Sequence, residues 1–300
     1  MSNNKLTGLI TAVVTPFTDE KEIDFLAFKK ILDYQLEGAV DGIVVCGSTG
    51  EGATLSNKEK VALFTETVDY INGRCAVIAG TGSNNTQQTI DLTLIAKEHG
   101  CDGVLLVAPY YNKPSQEGIY HHFRAIADAV DVPQIIYNVP GRTGININAE
   151  TQIRLAQDCP NIVATKEASA NLEQMMQIMK YAPEGFNLLS GDDALALPVI
   201  AMGGKGVISV LSNIVPKQFG DCIHAAMAGD YELARSLHYD LFDLMQINFI
   251  ESNPIPIKTA LSLAGLCSNN FRLPLIPLKI ENKEKLINIL NNLGFNVINQ

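Results

Sequence analysis

Positive charge is scarce in this chain: 22 lysines and arginines stand against 32 aspartates and glutamates, a net charge of -10 over 300 residues. That balance argues against the basic stripe that nucleic acid or an anionic membrane surface needs, so a small molecule is the expected partner. Paired cysteines are missing as well. The six cysteines (Cys46, Cys75, Cys101, Cys159, Cys222 and Cys267) stand singly with no Cys-x-x-Cys spacing, and several lie in apolar runs. They read as reduced core residues of a cytoplasmic protein and not as a disulfide framework. Long hydrophobic runs are absent: residues 194–205, uncharged up to the closing Lys205, fall well short of the roughly 18 to 20 apolar residues a membrane span needs. Lys5 and the short apolar stretch 9–14 carry no small-residue cleavage site after them, so no export signal is expected.

Two further absences narrow the chemistry. The five histidines lie on helical patterns, and the adjacent His121 and His122 cannot share a helix face, so no metal is expected. A doubly wound sheet would announce a nucleotide site with Gly-x-Gly-x-x-Gly after a strand, yet Gly80-Thr81-Gly82 is followed by Ser83-Asn84-Asn85. A phosphorylated substrate or pyridoxal phosphate would want positive charge after the seventh and eighth strands, where Asp192 and Asp193 stand; Gly203-Gly204-Lys205-Gly206 is the one feature nearby in its favour.

What is present is alternation. Short runs rich in Val and Ile recur at 9–14, 42–46, 75–79, 103–107, 133–137, 162–166, 186–189 and 206–210. Helical spacing fills the gaps at 24–37, 57–72, 86–99, 116–130, 148–157, 171–181 and 193–202. Continuous apolar strands alternating with amphipathic helices imply a parallel sheet covered by helices, and eight such units imply an α/β closed (β/α)8 TIM barrel. From about Ile214 only helical patterns follow, at 216–228, 231–250, 256–264 and 282–293. We take residues 1–225 as the barrel and 226–300 as a helical C-terminal extension. With 47% hydrophobic and 18% charged residues the chain can bury such a core.

In this architecture the residues at the C-terminal strand ends converge. Lys166 is the one charge in the run Asn161-Ile162-Val163-Ala164-Thr165-Lys166. An amine where water is scarce gives up its proton more readily, and a neutral amine attacks carbonyls, so Lys166 is a candidate Schiff-base nucleophile. The competing reading is a lysine that closes a strand and pairs with Glu167. Gly47-Ser48-Thr49-Gly50 is either a plain turn before a helix capped by Ser56 or Asn57, or a loop whose hydroxyls and N–H groups bind a carboxylate. Tyr110, Tyr111 and Tyr137 are rim aromatics or, beside an imine and a hydroxyl such as that of Thr49, proton shuttles. Arg142, after Pro140-Gly141, is a solvated loop residue or a bidentate fork for a substrate carboxylate.

Together GSTGE at 47–51, Pro-Tyr-Tyr-Asn at 109–112, YNVPGRTG at 137–144, Lys166-Glu167 and SGDD at 190–193 resemble the dihydrodipicolinate synthase family of pyruvate-dependent class I aldolases. The likeness runs in order from Gly8 to about Ile208, and the helical tail resembles the family's. It implies a lyase in which Lys166 forms an imine with pyruvate and the enamine attacks aspartate 4-semialdehyde, with no external cofactor. By the same likeness Tyr137, Thr49 and Tyr111 form a proton relay, Tyr111 reaching into a neighbouring subunit's site. Ser48 and Thr49 would hold the carboxylate of pyruvate, Arg142 that of the semialdehyde, and Gly191 and Ile208 would lend backbone near the imine. A homotetramer built as a dimer of dimers, in lysine and diaminopimelate biosynthesis, is also implied. N-acetylneuraminate lyases resemble the chain at the lysine and tyrosine but lack the arginine in that loop; a barrel that has lost catalysis would lack one of Lys166, Tyr137 or Thr49, and all are present. One departure concerns regulation: where lysine-inhibited members carry two histidines and a glutamate, this chain has Asn57, Lys60 and Gln88, although Asn84 and Tyr110 remain. Lys60 would repel the cation of the inhibitor and Gln88 cannot offset its charge, so weak or absent feedback by lysine is expected.

Overall fold

A computed structural model of the protein describes residues 6–297, so Lys5 lies outside the described residues. Eight parallel strands close in sequence order, with the last pairing back to the first: β1 (Gly8–Ala12), β2 (Gly42–Val45), β3 (Ala76–Gly80), β4 (Gly103–Val107), β5 (Gln134–Asn138), β6 (Ile162–Glu167), β7 (Asn187–Ser190) and β8 (Gly206–Ser209). This is the expected (β/α)8 barrel, and the strand ends differ from the sequence reading by a residue or two. Helices α1 (Phe25–Glu37), α2 (Asn57–Ile71), α3 (Thr86–Glu98) and α4 (Gln116–Ala129) follow the first four strands. A single turn α5 (Pro140–Thr143) and α6 (Ala149–Asp158) follow β5, then come α7 (Leu172–Tyr181), α8 (Ala196–Ala201) and α9 (Pro216–Met227).

The pleat sorts side chains into two layers, because successive residues of a strand face opposite sides. Ile10, Val44, Ile78, Leu105, Ile135, Tyr137, Ala164, Leu189 and Ile208 fill the bore. Leu9, Ile43, Val45, Val77, Leu106, Ile136 and Val207 face outward against the helices. Both faces are covered, which is why each strand reads as an unbroken apolar run. The helices pay in kind: α1 buries Ala27, Phe28, Ile31 and Leu32 on one stripe, and Asp24 caps it by accepting from the N–H of Ala27. At α2 the sequence left Ser56 and Asn57 open; Ser56 is the cap, forming a reciprocal capping box with Glu59 that contributes on the order of 1 kcal/mol.

The C-terminal region comprises α10 (Tyr231–Asp240), α11 (Phe242–Ile247), α12 (Ile255–Leu263) and α13 (Ile280–Asn292). The single helix expected over 231–250 breaks at Leu241, whose N–H bonds to the His238 carbonyl and which is itself buried. The turn there carries Leu241, Leu244 and Met245 into the core. Likewise the helix expected from residue 193 begins as a 3-10 turn, Asp193–Leu195, because the Asp193 carboxylate is engaged with the loop after β8. The sequence boundary at residue 225 falls inside α9, which packs against β1 as the outer helix of the last unit. No described helix is long and apolar enough to cross a membrane.

Candidate active site

Strand β6 decides where the chemistry sits. Ala164 and Lys166 share the bore side, whereas Thr165 and Glu167 face the helices. Lys166 and Glu167 therefore lie on opposite faces, and the strand-end ion pair considered above does not form. Glu167 instead accepts from Asn138 Nδ2 (2.9 Å), Gln152 Nε2 (2.9 Å), Gln174 Nε2 (2.9 Å) and the Ser169 N–H (3.0 Å), a wholly buried carboxylate held by neutral donors. Asn138 pairs in register with Glu167, and Tyr137 with Lys166. The network outside the barrel thus pins the two neighbours that face inside.

Lys166 is only 5% exposed, and its Nζ stands 4.4 Å from the centre of the Tyr137 ring. Burial pushes the ammonium pKa from its ordinary 10.5 down to about 8; the Asp193 carboxylate opposes the fall and the Arg142 guanidinium adds to it. The same burial raises the Tyr137 phenol to about 12, so it is a neutral proton donor across the physiological range. Asp193 is pushed up to about 6 by burial, although its Oδ2 accepts from the N–H groups of Leu211 (2.8 Å) and Val210 (3.1 Å).

Above the lysine opens a cavity of about 670 Å³, lined by Ser48, Thr49, Tyr137, Arg142, Lys166 and Gly191 among others. Thr49 is buried, and its Oγ1 accepts from Asn253 Nδ2 at 3.0 Å. Ser48 is exposed on the same loop. Arg142 rides on α5, which starts with Pro140 and ends at the left-handed Gly144, and its Nη2 donates to the Asn253 carbonyl at 3.2 Å. At Gly191 a side chain has no room, since a Cβ would lie 2.6 Å from Ala168 Cβ and 3.1 Å from Lys166 Cε. Two expected residues do not line the cavity. Ile208 is packed in the bore, and Val210 contributes to the wall in that sector. Tyr111, in a left-handed backbone conformation with φ 71, is 89% exposed and stands outside this chain's own site. Asn57, Lys60, Gln88 and Tyr110 line another part of the same cavity, and burial pushes the Lys60 ammonium pKa down. Asn84 donates to the Tyr110 carbonyl. Among the described residues no cluster of His, Cys, Asp and Glu is suited to a metal ion.

The sequence reading missed the C-terminal contribution. Lys258, with no side-chain exposure, pairs with Glu51 Oε1 at 2.5 Å, donates to the Asn270 carbonyl, and lies 4.2 Å from the Phe17 ring centre. Glu51 closes the GSTGE segment, so this buried pair and the Asn253–Thr49 bond tie the loop to the extension. A signal existed: Lys258 is the single charge in the apolar helix α12, the same oddity that marks Lys166.

The model of the dihydrodipicolinate synthetase family matches residues 5–293. The chain belongs to that family. It is 49% identical over 290 residues to the 4-hydroxy-tetrahydrodipicolinate synthase of Nitratidesulfovibrio vulgaris, covering 97% of this chain and 99% of that one. The crystal structure of dihydrodipicolinate synthase from Aquifex aeolicus superposes with a TM-score of 0.96 at 45% identity, covering 98% of this chain and all of the other. The chloride-inhibited family member from Acinetobacter baumannii, complexed with pyruvate, superposes with a TM-score of 0.95 at 41% identity over 97% of this chain and 99% of that one.

Proposed function

We propose that the protein is a lyase that condenses pyruvate with L-aspartate 4-semialdehyde through an imine at Lys166, the reaction of a 4-hydroxy-tetrahydrodipicolinate synthase. The observation that carries this reading is the buried amine of Lys166, with a pKa lowered to about 8, beside a phenol that stays protonated and below an arginine at the cavity wall. Near neutral pH a useful fraction of such a lysine is uncharged and attacks the keto carbon of pyruvate. The carbinolamine then loses water to give the protonated imine, with Tyr137 and Thr49 supplying and removing protons, and loss of a proton from the pyruvate methyl turns the imine into its enamine. The enamine carbon adds to the aldehyde, whose oxygen takes up a proton, which restores the imine; the acceptor's amine then closes the ring onto the imine carbon, and Lys166 departs as its amine. The imine itself is the electron sink, so no external cofactor is required.

On this reading Ser48 and Thr49 hold the carboxylate of pyruvate, Arg142 that of the acceptor, and Gly191 lends backbone beside the imine. The exposure of Tyr111 supports a role in a neighbouring subunit's site within a homotetramer, a dimer of dimers. The barrel through α9 carries the chemistry, and the helices after it brace the substrate loop. The place of action is the cytoplasm, in lysine and diaminopimelate biosynthesis. A coupled assay offering pyruvate with either aspartate 4-semialdehyde or N-acetylmannosamine tests the assignment: the semialdehyde is expected to be the faster acceptor. Faster turnover with N-acetylmannosamine would move the protein to the neuraminate-lyase type of aldolase.

A further inference from the structure

The Asn253 side chain occupies an unusual position for a residue outside the strand ends. It is 5% exposed, lines the cavity, and makes one side-chain hydrogen bond, from Nδ2 to Thr49 Oγ1 at 3.0 Å. Its Oδ1 is buried with no partner among the described residues. Stranding a buried acceptor costs roughly 1–3 kcal/mol, so the amide is not placed for its own satisfaction. Its main-chain carbonyl meanwhile receives Arg142 Nη2 at 3.2 Å. One residue of the extension therefore touches both the hydroxyl expected to move protons and the guanidinium expected to hold the acceptor.

We propose that Asn253 is a positioning residue that sets the direction of the Thr49 hydroxyl. A hydroxyl has one proton and two lone pairs. With the Asn253 amide N–H filling a lone pair of Oγ1, the Thr49 proton turns to an acceptor elsewhere, and the cavity that Thr49 lines is where the substrate and Tyr137 provide one. An amide donor at 253 thus makes Thr49 a donor into the cavity. An aspartate of the same shape does the reverse: its carboxylate only accepts, captures the Thr49 proton and turns the hydroxyl away. Alanine leaves the hydroxyl free to rotate.

The inference rests on the imine reading above, and its test separates the two. Asn253→Ala and Asn253→Asp are compared with the parent at the alkaline plateau of each pH profile, so that any change in the proton affinity of Lys166 drops out. Positioning through Thr49 predicts that kcat falls in the order parent, Asn253→Ala, Asn253→Asp, with the aspartate variant down by at least about tenfold, below the roughly 100- to 10,000-fold that loss of a whole proton-transfer group costs. Burial of a new carboxylate would by itself give the same order, so both variants are also made in Thr49→Val, where action through Thr49 predicts that Asn253→Asp costs no more than Asn253→Ala, and a charge or packing effect predicts the same drops as in the parent background. An aspartate variant as active as the alanine variant, or more so, overturns the proposal. Should Asn253→Ala fail to fold, the rate of borohydride trapping with pyruvate in Thr49→Val and Thr49→Val/Asn253→Asp decides: equal rates support action through Thr49, and a further drop equal to that seen in the parent background overturns it. Failure of the parent itself to be trapped would count against the imine reading and not against this one.

Discussion

Replacing Lys166 by methionine should abolish activity and yet stabilise the protein near neutral pH. The lysine pKa falls from 10.5 to about 8 on folding, chiefly through burial. At roughly 1.4 kcal/mol per unit, holding the ammonium in the bore near pH 7 costs on the order of 3 kcal/mol. The sign follows from proton counting. Between about pH 8 and 10.5 the unfolded lysine is protonated and the folded one is not, so the parent gains stability with rising pH at about 1.4 kcal/mol per unit. Below that window both states carry the proton and the penalty is constant. Methionine nearly matches the lysine stem in length and brings no charge to desolvate. Urea unfolding of parent and Lys166→Met at fixed protein concentration, repeated from near neutrality to about pH 10, should give a variant more stable by up to about 3 kcal/mol at the low end. The gap should close as pH rises through the window, while titrations of groups that do not interact with Lys166 cancel in the difference; Asp193, which does, has its pKa at about 6, below the window. A variant no more stable than its parent near pH 7, or a gap that ignores pH, would refute the claim that the bore strips water from this amine.

Three other outcomes follow from the same geometry. Lys258→Met leaves Glu51 buried without its cation and should cost about 3–5 kcal/mol in urea unfolding, whereas Lys258→Met/Glu51→Leu should recover most of it; a single variant as stable as the parent would contradict the pairing. Asp193 raises the lysine pKa, so Asp193→Asn should move the midpoint of the pH dependence of imine trapping below that of the parent, and an upward move would be the wrong sign. L-Lysine should inhibit weakly or not at all, since the Lys60 ammonium and the neutral Gln88 amide line the cavity where a cationic ligand would need an acid; inhibition at micromolar lysine in a steady-state titration would overturn that expectation.

The fold was legible because a buried parallel strand has little choice of residues. Every strand announced itself as an apolar run, and the one run broken by a charge held the candidate nucleophile. Motif residues close in sequence to strand ends, such as Thr49, Tyr137 and Gly191, also came together as expected. What escaped the reading depends on partners far away along the chain: Asn253 meets Thr49 across 204 residues and Lys258 meets Glu51 across 207, so no local spacing points from one to the other. The bend at Leu241 escaped for another reason, since apolar residues continue through it at helical spacing and only their tertiary destination breaks the helix. Glu167 reads as an ordinary strand-end carboxylate until its donors on α6 and α7 are in place.

On the proposed mechanism Lys166 is the amine that condenses with a keto acid. Borohydride reduction of the protein with pyruvate, followed by peptide mass mapping, should place the added mass on the peptide carrying Lys166, and Lys166→Met should take up none. Modification of a different lysine, or an unmodified protein after reduction, would contradict the account.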